Sequence, residues 1–385
     1  LSFVREVVVN TNPRNLQRLI SPLSMDAFIQ DFWPHCPLYI DGHGRDPNEL
    51  LGFKICMEFD ALSKMWPRPA LVMPRKAGDE ALGEVSSSAL ALKCYRAGHP
   101  VFLSRPEEVF EELGDWIEQL RIDLSVDERI RFVSAFHASP GGTNTALHFD
   151  HAVSIVVQIR GERIWRLWPN TSHKNPTNRY SVTMSRWPDE LIDYGNDAAL
   201  PEGSGIKYLL RPGDCLVVPN GWWHTVEAPV ESMALMFIAI NFPWADVVLG
   251  ELRRRLLTDS RWREMAIGVR QVMLADRETA RQKLGKLLSE LPSIVSSISV
   301  DDVLLPHYRK SVDASAQLIG NELNLDTSAA NAILRLGPEE FGVFNWIELR
   351  MGSFTERDLL ECGFEAESVT HMLQILHRLR YLTCN

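Results

Sequence analysis

The chain has 385 residues, 45% of them hydrophobic and 23% charged, which is ordinary for a globular protein and long enough for two or three domains. Its formal net charge of -10 argues against a general nucleic-acid binder and suits a basic partner such as a cationic protein or peptide. No apolar run is long enough to span a bilayer and no signal-peptide pattern appears; the six scattered cysteines form no C-x-x-C pair, which argues against a zinc ribbon or disulfide framework and favours a reducing, cytoplasmic setting.

Ser24 is placed to cap a helix that runs to Trp33, and Cys36–Ile40 follows as a short strand. Helical segments are expected near Phe59–Met65 and Glu107–Leu120. From Ile130 the character changes. Arg131–Ala138 alternates as a strand, Pro140-Gly141-Gly142 breaks it, and Val153–Ile159 is a nearly continuous apolar strand. Gly161-Glu162 turns the chain into a further strand, Arg163–Leu167. Pro169–Gly205 is polar and reads as a long surface insertion of the kind that serves substrates at a barrel mouth. Strands return at Ile206–Leu210, Cys215–Val218 and Met233–Phe242, with Arg211-Pro212-Gly213-Asp214 as a tight turn. Many short strands with turns between them predict a mainly β fold closed as a barrel or jelly roll.

After Pro243 the period becomes helical. Ala245, Leu249, Leu252 and Leu256 share one face, and the pattern continues to about Leu291-Pro292. The tail from Leu304 reads as helix, helix, strand, helix, helix. It has a capping-box-like Thr355-x-x-Asp358 and an apolar stripe of Val369, Met372, Leu373, Leu376 and Leu379, and is expected to form a small winged-helix-like domain. The expected layout is a catalytic barrel with an N-terminal helical elaboration at 1–243, a helical region at 244–303 and the small domain at 304–385.

The chemistry is concentrated at Thr145-Ala146-Leu147-His148-Phe149-Asp150 and at Gly221-Trp222-Trp223-His224. In a strand His148 and Asp150 project to one face and Phe149 to the other. A second imidazole from the distant His224 would complete two histidines and a carboxylate, the ligand set of non-heme Fe(II) oxygenases, with positions left open for a cosubstrate and dioxygen. A structural zinc site would want four protein ligands, usually including Cys, and none is offered. His151 lies on the other face from Asp150 and reads as a supporting or structural residue, while His371 and His377 on the last helix read as solvated or core. Trp222 and Trp223 read as packing at the barrel mouth.

The runs His148-Phe149-Asp150, Gln158-Ile159-Arg160-Gly161-Glu162-Arg163-Ile164-Trp165, Arg211-Pro212-Gly213-Asp214, Trp223-His224 and Asn241-Phe242 resemble the JmjC-type, cupin-fold 2-oxoglutarate/Fe(II) dioxygenases. The resemblance implies a double-stranded β-helix, iron held by His148, Asp150 and His224, and a basic residue fifteen positions after the first His that binds the distal carboxylate of 2-oxoglutarate. Arg163 occupies that position, and its planar fork suits a carboxylate. Thr145 and Asn241 match polar positions near the cosubstrate. Phe32–Ile40, Tyr95–His99 and the three-part layout are similar to the ribosomal-oxygenase branch, whose helical region dimerises. Trp222-Trp223-His224 is more similar to the asparaginyl-hydroxylase branch, and Phe136 stands where Tyr is frequent.

The leading expectation is therefore a hydroxylase of a protein or peptide side chain, with a ribosomal protein as one candidate, using Fe(II), 2-oxoglutarate and O2 and forming a homodimer. An oxygenase for a small molecule or natural-product peptide, an N-methyl demethylase, and a non-enzymatic cupin regulator whose tail binds DNA are the alternatives. The mixed charge of the tail counts against the last.

Overall fold

The computed structural model describes residues 15–54, 58–79, 83–85, 87–124, 126, 130–193, 200–266, 274–304, 308–311, 314–320, 322–327, 331–350, 353–379 and 381–384. They form two compact units, divided between Phe242 and Pro243.

The first unit begins with short helices. Ser24 caps Met25–Asp31 by accepting from the Ala27 amide, as its position predicts. Helices Asn15–Ile20, Pro47–Leu51, Phe59–Met65, Ser88–Arg96 and Glu111–Asp123 follow. The last starts later than the sequence suggests, because Pro106–Glu108 forms a separate 3-10 turn before it.

Among the described residues the strands of this unit are β1 (Leu38–Ile40), β2 (Ala70–Val72), β3 (Gly83–Val85), β4 (Val101–Ser104), β5 (Phe132–Ser139), β6 (Thr143–Asn144), β7 (His148–Phe149), β8 (Ala152–Arg160), β9 (Arg163–Trp168), β10 (Tyr180–Ser181), β11 (Ile206–Leu210), β12 (Cys215–Val218), β13 (Trp223–Ala228) and β14 (Ser232–Ile240). They make a large antiparallel sheet in the order β1-β12-β8-β14-β5-β4-β2-β3 and a smaller one in the order β10-β7-β13-β9-β11, with β6 also on β13. Facing sheets of this kind are the expected jelly roll.

The interior is built on alternation. Val156, Trp165, Leu167, Leu210, Leu216, Val218, Val226 and Ala234 fill the space between the sheets. The opposite face of the large sheet, with Phe136, Ile155, Val157, Leu235 and Phe237, packs on Leu16, Phe28, Trp116 and Leu120 of the helices. Thus β8 is covered on both sides, which is why its sequence is apolar almost throughout rather than alternating. At Gly161 the β8–β9 turn requires a positive φ of 62°, and an added Cβ would lie 1.9 Å from the Glu231 carbonyl oxygen.

The second unit departs from the sequence reading in three places. Helix Trp244–Leu256 buries Val247 and Glu251, whereas Leu249 of the expected apolar face is 57% exposed. Buried Glu251 is tolerated because Arg254 and Arg255 pair with it, each at 2.7 Å. Helix Leu274–Ser296 runs through Pro292 instead of ending there. The tail is not helix, helix, strand, helix, helix. β15 (Tyr308–Lys310) and an antiparallel meander of β16 (Ser315–Ile319), β17 (Glu322–Asp326) and β18 (Asn331–Arg335) precede helices Pro338–Leu349, Glu356–Glu361 and Ala366–Arg378, and β19 (Leu382–Cys384) returns to pair with β15. Thr355 and Asp358 do form the capping box, and the stripe from Val369 to Leu379 is buried.

Candidate active site

His148 on β7 is the cross-strand partner of His224 on β13, and their imidazole centroids are 4.1 Å apart. Phe149 turns outward, fully buried against Trp223, and the chain returns Asp150 to the histidine side. Oδ2 of Asp150 lies 3.9 Å from Nε2 of His148 and 3.6 Å from Nε2 of His224. One ligand atom from each of the three residues lies within 4.8 Å of the others, so they can share a metal ion.

The histidines are oriented from behind. Nδ1 of His148 is 2.7 Å from the Ala146 carbonyl oxygen and Nδ1 of His224 is 2.9 Å from that of Trp222, so each Nδ1–H donates to backbone and each Nε2 keeps its lone pair toward Asp150. Burial pushes His148 down to about 3, His224 adds to the depression, and Asp150 opposes it. Burial likewise lowers His224. For Asp150 burial acts upward, but His148, His224 and Arg179 outweigh it and hold the carboxyl below its ordinary range. Two neutral imidazoles and one carboxylate are what a divalent cation requires of its ligands.

Arg163 opens β9, whose residues Arg163, Trp165 and Leu167 are the buried ones of the strand. Leu167 pairs with His224, so Arg163 sits two inward positions farther along the same face. Its side chain is fully buried. Nε donates to Ser232 Oγ at 3.1 Å and one terminal nitrogen to the His137 carbonyl oxygen at 2.5 Å, while NH1 is buried with no partner. Burial lowers its pKa to about 9. A buried guanidinium with an unused donor is a fitting receptor for a carboxylate. Between the His148-Asp150-His224 cluster and the large sheet lies a cavity of about 10 Å³, lined by Asp150, Ser154, Trp165, Val218, His224 and Met236 among others. It has room for about one water, so a larger guest requires side-chain movement, and the unbranched Met236 is suited to give way.

Thr145 and Asn241 are not among the residues lining that cavity. Thr145 latches onto β13, its Oγ1 accepting from the Val226 amide at 2.9 Å. Asn241 donates from its side chain to the Pro176 carbonyl oxygen at 3.2 Å. His371 pairs with Glu340 at 2.6 Å, in keeping with a structural role. Phe136 is fully buried on the helix side, edge-on to Phe110, and points away from the site.

Two residues near the site escape the sequence reading. His137, not Phe136, is the inward neighbour, paired across β5–β14 with the interior Ala234; burial, Arg163 and His148 together keep its imidazole neutral. Alternation along Arg131–Ala138 sets His137 on the face opposite Phe136 but does not say which of the two faces inward. Arg179 forms an ion pair with Asp150, Nε to Oδ1, at 3.1 Å. It comes from the 169–205 insertion, which is not a bare surface loop. β10 pairs with β7, and Tyr180, Leu191 and His173 are buried against Phe149, Trp187 and Trp223 on the outer face of the small sheet.

A β-barrel with an inward His-Asp-His cluster that could share a metal ion, and a buried basic residue deeper on the same face, has the layout of a cupin-type site. Residues 104–248 match the cupin-like domain family. The chain is 25% identical to the uncharacterized protein YxbC of Bacillus subtilis, across 75% of this chain and 89% of that one. It is 22% identical to ribosomal oxygenase 2 of Rattus norvegicus, across 73% of this chain and 60% of that one. It is 26% identical to the lysine-specific demethylase JMJ30 of Arabidopsis thaliana, across 37% of this chain and 33% of that one. A solved structure of the Escherichia coli ribosomal oxygenase YcfD, in complex with cobalt and 2-oxoglutarate, aligns over 94% of this chain and 99% of that one at 13% identity and a TM-score of 0.39.

Proposed function

We propose that the chain hydroxylates a side chain of a protein or peptide, using Fe(II), 2-oxoglutarate and O2, with a ribosomal protein as the favoured substrate class. The observation that carries this reading is the convergence of His148, Asp150 and His224 from separate strands, with both Nε2 atoms turned toward Asp150 Oδ2. Bound iron with 2-oxoglutarate and dioxygen supplies oxidation of an unactivated carbon, the cosubstrate leaving as succinate and carbon dioxide. Protein chemistry is confined to holding and shielding. His148 and His224 offer neutral nitrogen ligands, and Asp150 offsets one of the two metal charges. Arg163 receives the distal carboxylate of the cosubstrate through its unused NH1. Thr145 keeps its hydroxyl proton for a second bond, since its oxygen already accepts from Val226, and Asn241 keeps its amide oxygen. Trp165, Val218 and Met236 exclude water around the centre.

The relatives named ribosomal oxygenase and histidyl-hydroxylase support a protein substrate, and the net charge of -10 suits a basic one. A homodimer through residues 244–303 is part of the proposal, supported by exposed Trp244, Val248, Leu249, Leu284 and Leu288. So are a separate role for residues 304–385 and a cytoplasmic setting, the latter in keeping with free Cys36, Cys94, Cys215 and Cys362. Among the described residues no helix is long and apolar enough to cross a membrane.

The test is mass spectrometry of lysate proteins incubated with the chain, Fe(II) and 2-oxoglutarate, with His148→Ala as control. One polypeptide should gain one oxygen with the parent only. Oxygen gain that persists in the control, or none on any polypeptide, refutes the reading; loss of a methyl group instead would favour demethylation, the activity in JMJ30's name.

A further inference from the structure

The ion pair between Arg179 and Asp150 is set by the fold rather than by chance proximity. β10 and β7 pair antiparallel with Tyr180 opposite Phe149 and Ser181 opposite His148. Continuing that register by one residue places Arg179 directly across from Asp150. The two-residue ladder is short, but it is clamped. Tyr180 stacks on Trp187 and packs edge-on to Trp223, and Phe149 lies against Tyr180 and Trp187. Upstream, the Pro176 carbonyl oxygen accepts from Asn241, and Pro176 packs so closely on Gly221 that an added Cβ would lie 2.4 Å from it. Arg179 therefore belongs to a segment fastened on both sides of the ligand it touches.

The two oxygens of Asp150 have different partners. Oδ2 faces the histidines, and Oδ1 faces Arg179 Nε. A carboxylate free to rotate can offer a metal either oxygen or both. One whose Oδ1 is engaged offers Oδ2 alone and leaves the neighbouring coordination positions open. We propose that Arg179 is a positioning residue for the metal centre, fixing Asp150 as a single-oxygen ligand and so tying metal affinity to the seating of the 169–205 segment. This rests on the reading of His148, Asp150 and His224 as metal ligands. The competing description is an exposed pair of little consequence, since half of the Arg179 side chain lies in solvent.

The experiment titrates the metal-free full chain with Co(II) alone, by calorimetry and by the visible absorption of the bound ion. Arg179→Ala should weaken Co(II) binding by about tenfold or more, the usual effect of removing a residue that orients a ligand. The bound-ion spectrum should change, and the melting temperature of the metal-free chain should not. Arg179→Lys keeps the charge and one donor and should recover part of the affinity. Arg186→Ala, an exposed position of the same segment, should match the parent. Binding by Arg179→Ala within threefold of the parent with an unchanged spectrum, tighter binding, or equal losses in Arg186→Ala would each overturn the proposal. His148→Ala separates the two levels. If it abolishes Co(II) binding while Arg179→Ala does not affect it, only the Arg179 role falls; if it too binds normally, the ligand assignment fails and the proposal with it.

Discussion

Replacing Arg163 by Met should make the chain more stable and remove cosubstrate binding at the same time. Burial holds the guanidinium pKa at about 9 rather than above 12, which corresponds to a folding penalty of about 4–5 kcal/mol for carrying the charge at neutral pH. The sign follows from linkage: a depressed folded-state pKa means that the unfolded chain binds the proton more tightly, so the penalty is complete below pH 9 and fades above it. Met removes the charge but leaves the Ser232 and His137 acceptors unpaired, which costs about 1–3 kcal/mol. The net gain is about 1–4 kcal/mol, or an upward shift in Tm of about 2–16 °C for a unit of this size. The parent has the opposite advantage once 2-oxoglutarate is present: a hundredfold excess over Kd stabilises it by about 2.7 kcal/mol, and the variant should gain nothing. Thermal melts of the Mn(II)-loaded chain, with and without 2-oxoglutarate, read both effects. A variant that melts below the parent without cosubstrate, or shifts as the parent does with it, refutes the assignment of Arg163 as a buried cation awaiting a carboxylate.

Met236→Phe should fill the cavity beside Asp150 and His224, weakening 2-oxoglutarate at least tenfold while Co(II) affinity stays within threefold; overpacking should cost about 1–3 kcal/mol in a denaturant melt. Cys215, fully buried with its thiol pushed up to about 12 by burial, should resist iodoacetamide at pH 8.5 while exposed Cys36 and Cys362 react, as peptide mapping would read. Because the native thiol keeps its proton to higher pH than the unfolded one, its contribution to stability is present below the unfolded pKa of about 8.5 and is lost as pH rises toward 12. Phe136→Tyr should destabilise the fold by about 1–3 kcal/mol in urea, its hydroxyl buried on the helix side without an evident partner, and leave 2-oxoglutarate affinity unchanged; stronger cosubstrate binding would show that the side chain faces inward after all.

What could be read from the residues alone follows the range over which each feature is determined. His148 and Asp150 share a face because strand geometry repeats every two residues, and Gly161 marks its turn because the positive φ of 62° there favours a residue without a Cβ; neither needs the rest of the chain. The same rule applied to Arg131–Ala138 says that Phe136 and His137 face opposite ways, but not which faces in. That is decided by the pairing of β5 with β14, opposite Ala234 and Leu235. Glu251 on a buried helix face is invisible to an apolar-periodicity argument because its neutralising partners, Arg254 and Arg255, are polar as well. In the tail, Ala316, Leu318, Leu323 and Leu325 alternate across a tight turn, and short alternating runs among polar residues also satisfy a helical pattern. Arg179 is the extreme case. Nothing in the polar stretch from Pro169 to Gly205 distinguishes it from Arg186, and its place beside Asp150 comes from a two-residue pairing held by aromatic side chains of the same insertion. The ligands themselves are thus specified locally, while the groups that orient them are specified by register between distant segments. The polar appearance of such an insertion is therefore poor evidence that it lies apart from the site.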